Sequence, residues 1–372
     1  MIPLSLYIHY PWCVRKCPYC DFNSHQVRSG DQEAPYLAAL ERDLRAAATE
    51  LTHRPIQTIF IGGGTPSLIS VDGLGRMLAL THRLLDIDSD AEITLEANPG
   101  AIDIVKFRAF RDLGINRLSI GIQSFENQKL LALGRIHDRD EAFHAIEQGL
   151  QVFERVNIDL MYGLPGQTLA EAELDIQTAI QFQTGHISAY HLSIEPNTAF
   201  AHQPPTLPDE DCAADMQEMV EARLAEAGYR HYEISAFAFP GQQCRHNLNY
   251  WTFGDYLGIG PGAHGKLTEA GAVYRERRHA HPKAYMESES ALDSCHRVTT
   301  EELPAEFMMN ALRLLDGFDP ALFADRTGLP LTVIEPILAS AAAEDLIART
   351  PTMLKPTTLG RRYLNSLVSR FL

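Results

Sequence analysis

No apolar stretch in this 372-residue chain approaches the roughly 20 residues that a helix needs to cross a bilayer, so no membrane-spanning helix is expected. The N-terminus, Met1-Ile2-Pro3-Leu4-Ser5, has neither the basic start nor the small-residue cleavage site of a signal peptide. The chain therefore reads as cytoplasmic, with peripheral membrane contact left open. Positive charge is scarce too: 32 Lys and Arg stand against 48 Asp and Glu, a formal net charge of −16. That balance works against functions that depend on wrapping nucleic acid, where phosphates demand an excess of cations, while leaving room for a local basic patch. Cysteine is limited to six residues, three of them crowded into positions 13–20, with Cys212, Cys244 and Cys295 scattered. A disulfide scaffold spreads its cysteines through a small secreted chain. This clustering points instead to metal or cluster ligation in a reducing compartment.

What is present is alternation. Strand-like runs at Leu4–His9, Thr58–Gly62, Glu92–Asn98, Arg117–Gln123, Val156–Met161 and Ile187–Glu195 are separated by helical patterns at Tyr36–Leu51, Leu74–Leu85, Ile102–Leu113, Glu141–Phe153 and Leu169–Phe182. Such serial strand–helix units predict a parallel sheet, because each crossover returns the chain in the same direction. Within the strands, Leu118, Ile120 and Ile122 share one face while Ser119, Gly121 and Gln123 share the other. A closed eight-stranded barrel fills its interior with Val, Ile and Leu. A polar inner face predicts a splayed, incomplete (β/α)6 barrel with a substrate-sized lumen. Beyond it, a helix at Asp209–Ala227 and a strand at Tyr229–Phe239 lead into residues 240–285, which are rich in Gly, His and aromatics and read as an irregular, function-bearing loop. From Glu301 the pattern is helical with one extended piece near Ile347–Leu354, consistent with a small winged-helix-like domain. The expected α/β division is therefore a barrel over 1–200, an α+β extension over 201–295 and the small domain over 296–372. Arg361-Arg362 is the only adjacent basic pair in that last domain, so a protein-contact or lid role is expected of it rather than DNA binding.

The run Trp12-Cys13-Val14-Arg15-Lys16-Cys17-Pro18-Tyr19-Cys20-Asp21-Phe22 places Cys-x3-Cys-x2-Cys just after the first strand, the end where barrel enzymes put their chemistry. Three thiolates on one short loop can hold three corners of a 4Fe–4S cube, leaving the fourth iron open to a small molecule. A structural zinc site is the alternative, with His9 or His25 as fourth ligand. Gly62-Gly63-Gly64-Thr65-Pro66 follows the second strand, where glycines allow close backbone approach to a ligand or simply a tight turn. Glu96, Gln123, Arg135 and Asp159 fall at or beyond later strand ends, each equally suited to capping or ion pairing when taken singly.

The cysteine triplet, with Tyr19 preceding the last cysteine, resembles the radical S-adenosylmethionine (SAM) superfamily. The resemblance implies that the open iron chelates the amino and carboxylate groups of SAM and that one electron cleaves its sulfonium. Gly63, Gly64 and Thr65 are similar to the element that contacts the methionyl amino group. Together with Glu96, Gln123, Arg135, Asp159 and Tyr7, they resemble the coproporphyrinogen-dehydrogenase-like branch, in which equivalent residues bind SAM and Arg135 would pair with its carboxylate.

That branch contains the oxygen-independent coproporphyrinogen III dehydrogenases, which oxidatively decarboxylate propionates, and heme chaperones that are carriers. The dehydrogenases have a further Cys where this chain has Phe22, and a long N-terminal extension where this chain's first strand begins at Leu4. His246-Asn247-Leu248-Asn249-Tyr250-Trp251 matches the HNxxYW motif of the chaperones. The resemblance thus implies a heme carrier, whether or not it is also an enzyme, delivering heme to acceptors such as membrane respiratory enzymes. His246 would offer an axial nitrogen, and Tyr250 and Trp251 flat faces for the macrocycle. Cys244, His231 and His264 are further ligand candidates. Read by itself, the same motif fits a loop in which Trp251 plugs the barrel and His246 caps a polar group.

Overall fold

Six apolar runs become parallel neighbours in the computed structural model, which describes residues 2–27, 32–49, 51, 54–100 and 103–372. They are β1 (Leu4–Tyr10), β2 (Ile56–Gly63), β3 (Ile87–Ala97), β4 (Arg117–Gln123), β5 (Arg155–Tyr162) and β6 (His186–His191). They pair in chain order, every neighbour parallel. The longer helices between them are α1 (Glu33–Ala48), α2 (Val71–Leu84), α3 (Ile104–Asp112), α4 (Arg139–Val152) and α5 (Leu169–Gln181). Expected helix positions Glu50 and Ile102 lie outside the described residues.

Local sequence fixes where these helices begin. Asp138 and Glu141 form a reciprocal capping box on α4, and Thr168 and Glu171 form another on α5. Each satisfies two backbone donors that the first turn leaves without partners. The period-2 pattern of the strands sorts the two faces of the sheet. Leu118, Ile120 and Ile122 are fully buried in the core shared with the outer helices, while Ser119, Gly121 and Gln123 line the inner cavity. The inner face is polar and the two edges do not meet, so the barrel is open.

Residues 240–285 depart from the expected loop. They form α7 (Arg245–Trp251), β9 (Asp255–Ile259), β10 (His264–Glu269) and β11 (Ala272–Arg278). The five residues of β9 lie parallel to β1 on its free edge. From there β10, β11 and β12 (Leu292–Arg297) continue the sheet as antiparallel neighbours. At the other edge, the stretch expected as one strand over Tyr229–Phe239 is a hairpin of β7 (Arg230–Glu233) and β8 (Ala236–Ala238), with β8 antiparallel to β6. Ile234-Ser235 supplies its turn. A helix α6 (Glu210–Glu226), capped by Asp209, precedes it.

The C-terminal residues build a second core around Phe307, Phe318 and Phe323. Three helices, α8 (Leu303–Ala311), α9 (Ala321–Thr327) and α10 (Glu335–Ala343), stand before a hairpin of β13 (Ile347–Thr350) and β14 (Met353–Pro356). Leu248 and Trp251 of α7 pack against this core, which ties it to the barrel.

Candidate functional site

β1 runs directly into the cysteine loop, and the loop is held from several sides. Trp12–Cys13 bridges His25–Gln26 in parallel, and the His25 and Val27 amides donate to Pro11 O and Cys13 O at 2.7 and 2.9 Å. Tyr10, Trp12 and Tyr36 meet edge to face with ring centroids 5.1–5.7 Å apart, each such pair worth about 1 kcal/mol beyond its burial. These contacts fix the loop's two ends while Val14, Arg15 and Lys16 remain exposed.

The glycine turn after β2 packs on that loop. The Gly64 amide donates to Tyr10 O and the Thr65 amide to Trp12 O, both at 2.7 Å. A Cβ on Gly64 would stand 2.5 Å from Trp12 O, and one on Gly63, whose φ is +116°, would stand 2.6 Å from the His9 ring. The glycines are therefore needed for close approach between two segments of this chain. The Gly63 amide donates to Glu96 Oε2 at 3.0 Å, so the turn also orients a carboxylate.

A cavity of about 380 Å³ opens beneath the loop. It is lined by Cys13, Cys17, Tyr19, Cys20 and Phe22 from the loop, Gly63, Gly64 and Thr65 from the turn, Glu96, Gln123 and Asp159 from β3, β4 and β5, and Arg135 from the loop before α4. Those residues, far apart in the sequence from Cys13 to Asp159, meet around one space. Asn98 connects them: its Nδ2 donates to Thr65 Oγ1 at 2.9 Å, and its Oδ1 accepts from Arg135 Nη2 at 2.8 Å. Arg135 also donates to Gly121 O at 2.6 Å and reaches Cys17 Sγ at 3.8 Å, while its buried Nε has no partner. Gln123 sits at a register shift in β4 with φ +72°, a left-handed conformation costly for a side chain other than glycine and typical of ligand sites.

Burial and the nearby Asp159 push the Glu96 carboxyl up to about 8. Burial raises Asp159 as well, against hydrogen bonds from Asn157, Ser119 and Ser188. Two carboxyls facing one lumen thus favour protonation, the usual outcome when like charges share a desolvated space. At the floor, Arg117 lies among Glu92, Cys244, Tyr232 and Asp159. Asn98, Ser119 and Asn157, on the polar strand faces expected to look inward, line the cavity, and Arg117, Ser188 and Tyr190 line it as well without having been expected there. The signal for several of them was their shared strand face with Gln123 and Asp159.

α7 occupies the opposite, strand-start end of the barrel. His246 is buried; its Nδ1 pairs with Thr58 Oγ1 at 2.7 Å, its Nε2 with Tyr250 Oη at 3.1 Å, and its ring lies 5.1 Å from Phe60. Both ring nitrogens are engaged within the fold. Cys244 is fully buried, with its thiol 3.5 Å from Glu92 Oε1 and pushed up to about 12 by burial. Trp251 carries Arg313 over its ring at 5.2 Å. Tyr7 is stacked behind Phe60 with its hydroxyl on His9 Nδ1. Neither Tyr7 nor His246, Tyr250, Trp251, Cys244, His231 or His264 lines the cavity; from α7 only Asn247 does.

Cys13, Cys17 and Cys20 face the cavity together, and three thiols on one loop are the donor set that three corners of a 4Fe–4S cube would take. Tetrahedral zinc draws its ligands to one point at 2.0–2.3 Å, and among the described residues no three His, Cys, Asp or Glu side chains converge in that way. His9 has both ring nitrogens engaged, Nδ1 with Tyr7 Oη at 3.0 Å and Nε2 with Asn23 O at 2.9 Å, and His25 Nε2 pairs with Asn23 Oδ1 at 3.1 Å. Burial holds the Cys13 and Cys20 thiols above their ordinary range, so a metal group binding them as thiolates would have to compensate that charge.

Residues 7–179 match the model of the radical SAM superfamily and residues 298–363 that of the HemN C-terminal domain. Over its whole length the chain is 46% identical to a protein named heme chaperone HemW from Escherichia coli K12, covering 98% of that protein. The chain belongs to the HemW family. The Haemophilus influenzae HemW is 45% identical, again over all of this chain and 98% of its own length. Among solved structures, coproporphyrinogen III oxidase (HemN) from Escherichia coli, described as a radical SAM enzyme, superposes with a TM-score of 0.85 at 23% identity. It covers all of this chain and 90% of HemN. The chain thus has the radical SAM fold. No helix among the described residues is long and apolar enough to cross a membrane.

Proposed function

We propose that this HemW-family chain is a cytoplasmic heme carrier. In this reading it holds a 4Fe–4S cluster on Cys13, Cys17 and Cys20 and binds SAM in the adjoining cavity. It passes heme to acceptor proteins such as respiratory enzymes. The observation that carries the reading is the cavity itself, which joins the three thiols to a glycine turn and to polar groups from three strand ends. When bound, the cluster and SAM supply one-electron reductive cleavage of a sulfonium. The chain's own part is positional. Arg135 has a buried Nε still without a partner, a donor suited to the SAM carboxylate. Glu96, held by the Gly63 amide, would accept from the cationic amino group, with Gln123, Asp159 and the Thr65–Asn98 pair along the remainder of the ligand. Names given to relatives that are similar over their full length favour a carrier over a dehydrogenase.

The test is anaerobic reconstitution followed by two assays. Hemin titration is expected to give a saturable Soret band. Coproporphyrinogen III supplied with SAM and a reductant is expected to yield no protoporphyrinogen above background; its formation would replace this reading with the dehydrogenase one.

A further inference from the structure

A carrier of iron porphyrin needs a ligand for the metal, an apolar surface for the macrocycle and a cation for the propionates. The chain has 15 histidines, and among the described residues His191 alone lines the cavity. It ends β6 at the rim, exposed, with its ring 5.4 Å from that of Tyr162. Gly163 makes room for it: a Cβ there would stand 2.7 Å from the imidazole Cδ2. Neither ring nitrogen is hydrogen-bonded among the described residues, and burial lowers the imidazole pKa, which leaves a lone pair available at neutral pH. This contrasts with His246, whose two nitrogens are occupied, and with His9 and His186, similarly occupied.

The rest of the rim supplies the other two requirements. Phe22 is 60% exposed, an unusual position for a large aromatic side chain. It lines the same cavity as Met161 and Leu192. Arg15 also lines it, exposed and in no ion pair among the described residues. We propose that His191 is the axial ligand of the heme iron, with Phe22 against the macrocycle and Arg15 on a propionate, so that the porphyrin sits at the barrel mouth above the SAM cavity and away from α7. This rests on the heme-carrying reading given above.

Hemin titration of the reconstituted full chain tests both, and separates them. If the unaltered protein gives no saturable Soret band, the carrier reading fails and this assignment with it. If it does, His191→Ala is expected to bind hemin about tenfold more weakly or worse with a displaced Soret maximum, and added imidazole is expected to restore the band position. An affinity and spectrum equal to those of the unaltered protein would overturn the assignment of His191 while leaving the carrier reading intact. Arg15→Gln provides a second reading that does not depend on the histidine. It is expected to weaken binding of hemin but not of hemin dimethyl ester; equal weakening of both would remove Arg15 from the site.

Discussion

At the scale of single residues, Glu96 brings a perturbed carboxyl to the cavity wall. Its carboxyl, pushed up to about 8 by burial and by Asp159, keeps a proton in the folded chain that the unfolded chain loses above its ordinary value near 4.5. Its contribution to stability is therefore complete below pH 4.5 and lost as pH rises through about 8. The urea midpoint of the ligand-free protein is expected to fall across that interval, and Glu96→Gln to flatten that part of the slope. Docking a cation against Glu96 reverses the preference and favours the carboxylate. SAM binding at pH 7 should therefore release a proton, measured as a calorimetric enthalpy that depends on the ionisation enthalpy of the buffer. In Glu96→Gln that dependence should disappear. A dependence retained in full would place the ammonium elsewhere.

At the scale of elements, the cysteine loop and the glycine turn are one unit. Gly64→Ala forces a methyl group onto the Trp12 carbonyl, which would lie 2.5 Å away, and overpacking of this kind costs about 1–3 kcal/mol. The expected result is a lower melting temperature and a reduced iron and sulfide content after reconstitution. Unchanged iron content would show that the turn does not hold the loop. Legibility followed the same division. The cysteine triplet and the Gly-Gly-Gly-Thr-Pro turn were readable because each is contiguous, and β1 to β6 because their alternation survives without partners. β9 was not, since its five residues include Gly258 and become a strand only by pairing with β1. Tyr229–Phe239 alternated like one strand, but the turn at Ile234-Ser235 folds it in two. Asn98 and Ser119 belong to the site through a strand face, which spacing implies, whereas nothing in the spacing of the HNxxYW motif reveals that Thr58 and Tyr250 claim both nitrogens of His246.

At the scale of the whole molecule, the sheet extension is fastened to the barrel by a buried ionic knot. Asp255 on β9 accepts from Lys266 on β10 at 2.8 Å and pairs with Arg54 ahead of β2 at 2.8 Å. Burial lowers Lys266 to about 8 while Asp255 opposes the shift. Removing one partner from such a knot strands the other, typically at about 3–5 kcal/mol. Because Arg54 remains, Lys266→Met is expected at the lower end, seen as a melting-temperature loss that Lys283→Met, on an exposed side chain, does not share. A further consequence comes from α7, which stoppers the strand-start end of the barrel. A well with one mouth imposes an order on its occupants: what enters first lies deepest and leaves last. Under the proposed carrier function, cargo and cosubstrate would have to share a doorway, and any acceptor would have to dock over the threshold through which loading takes place.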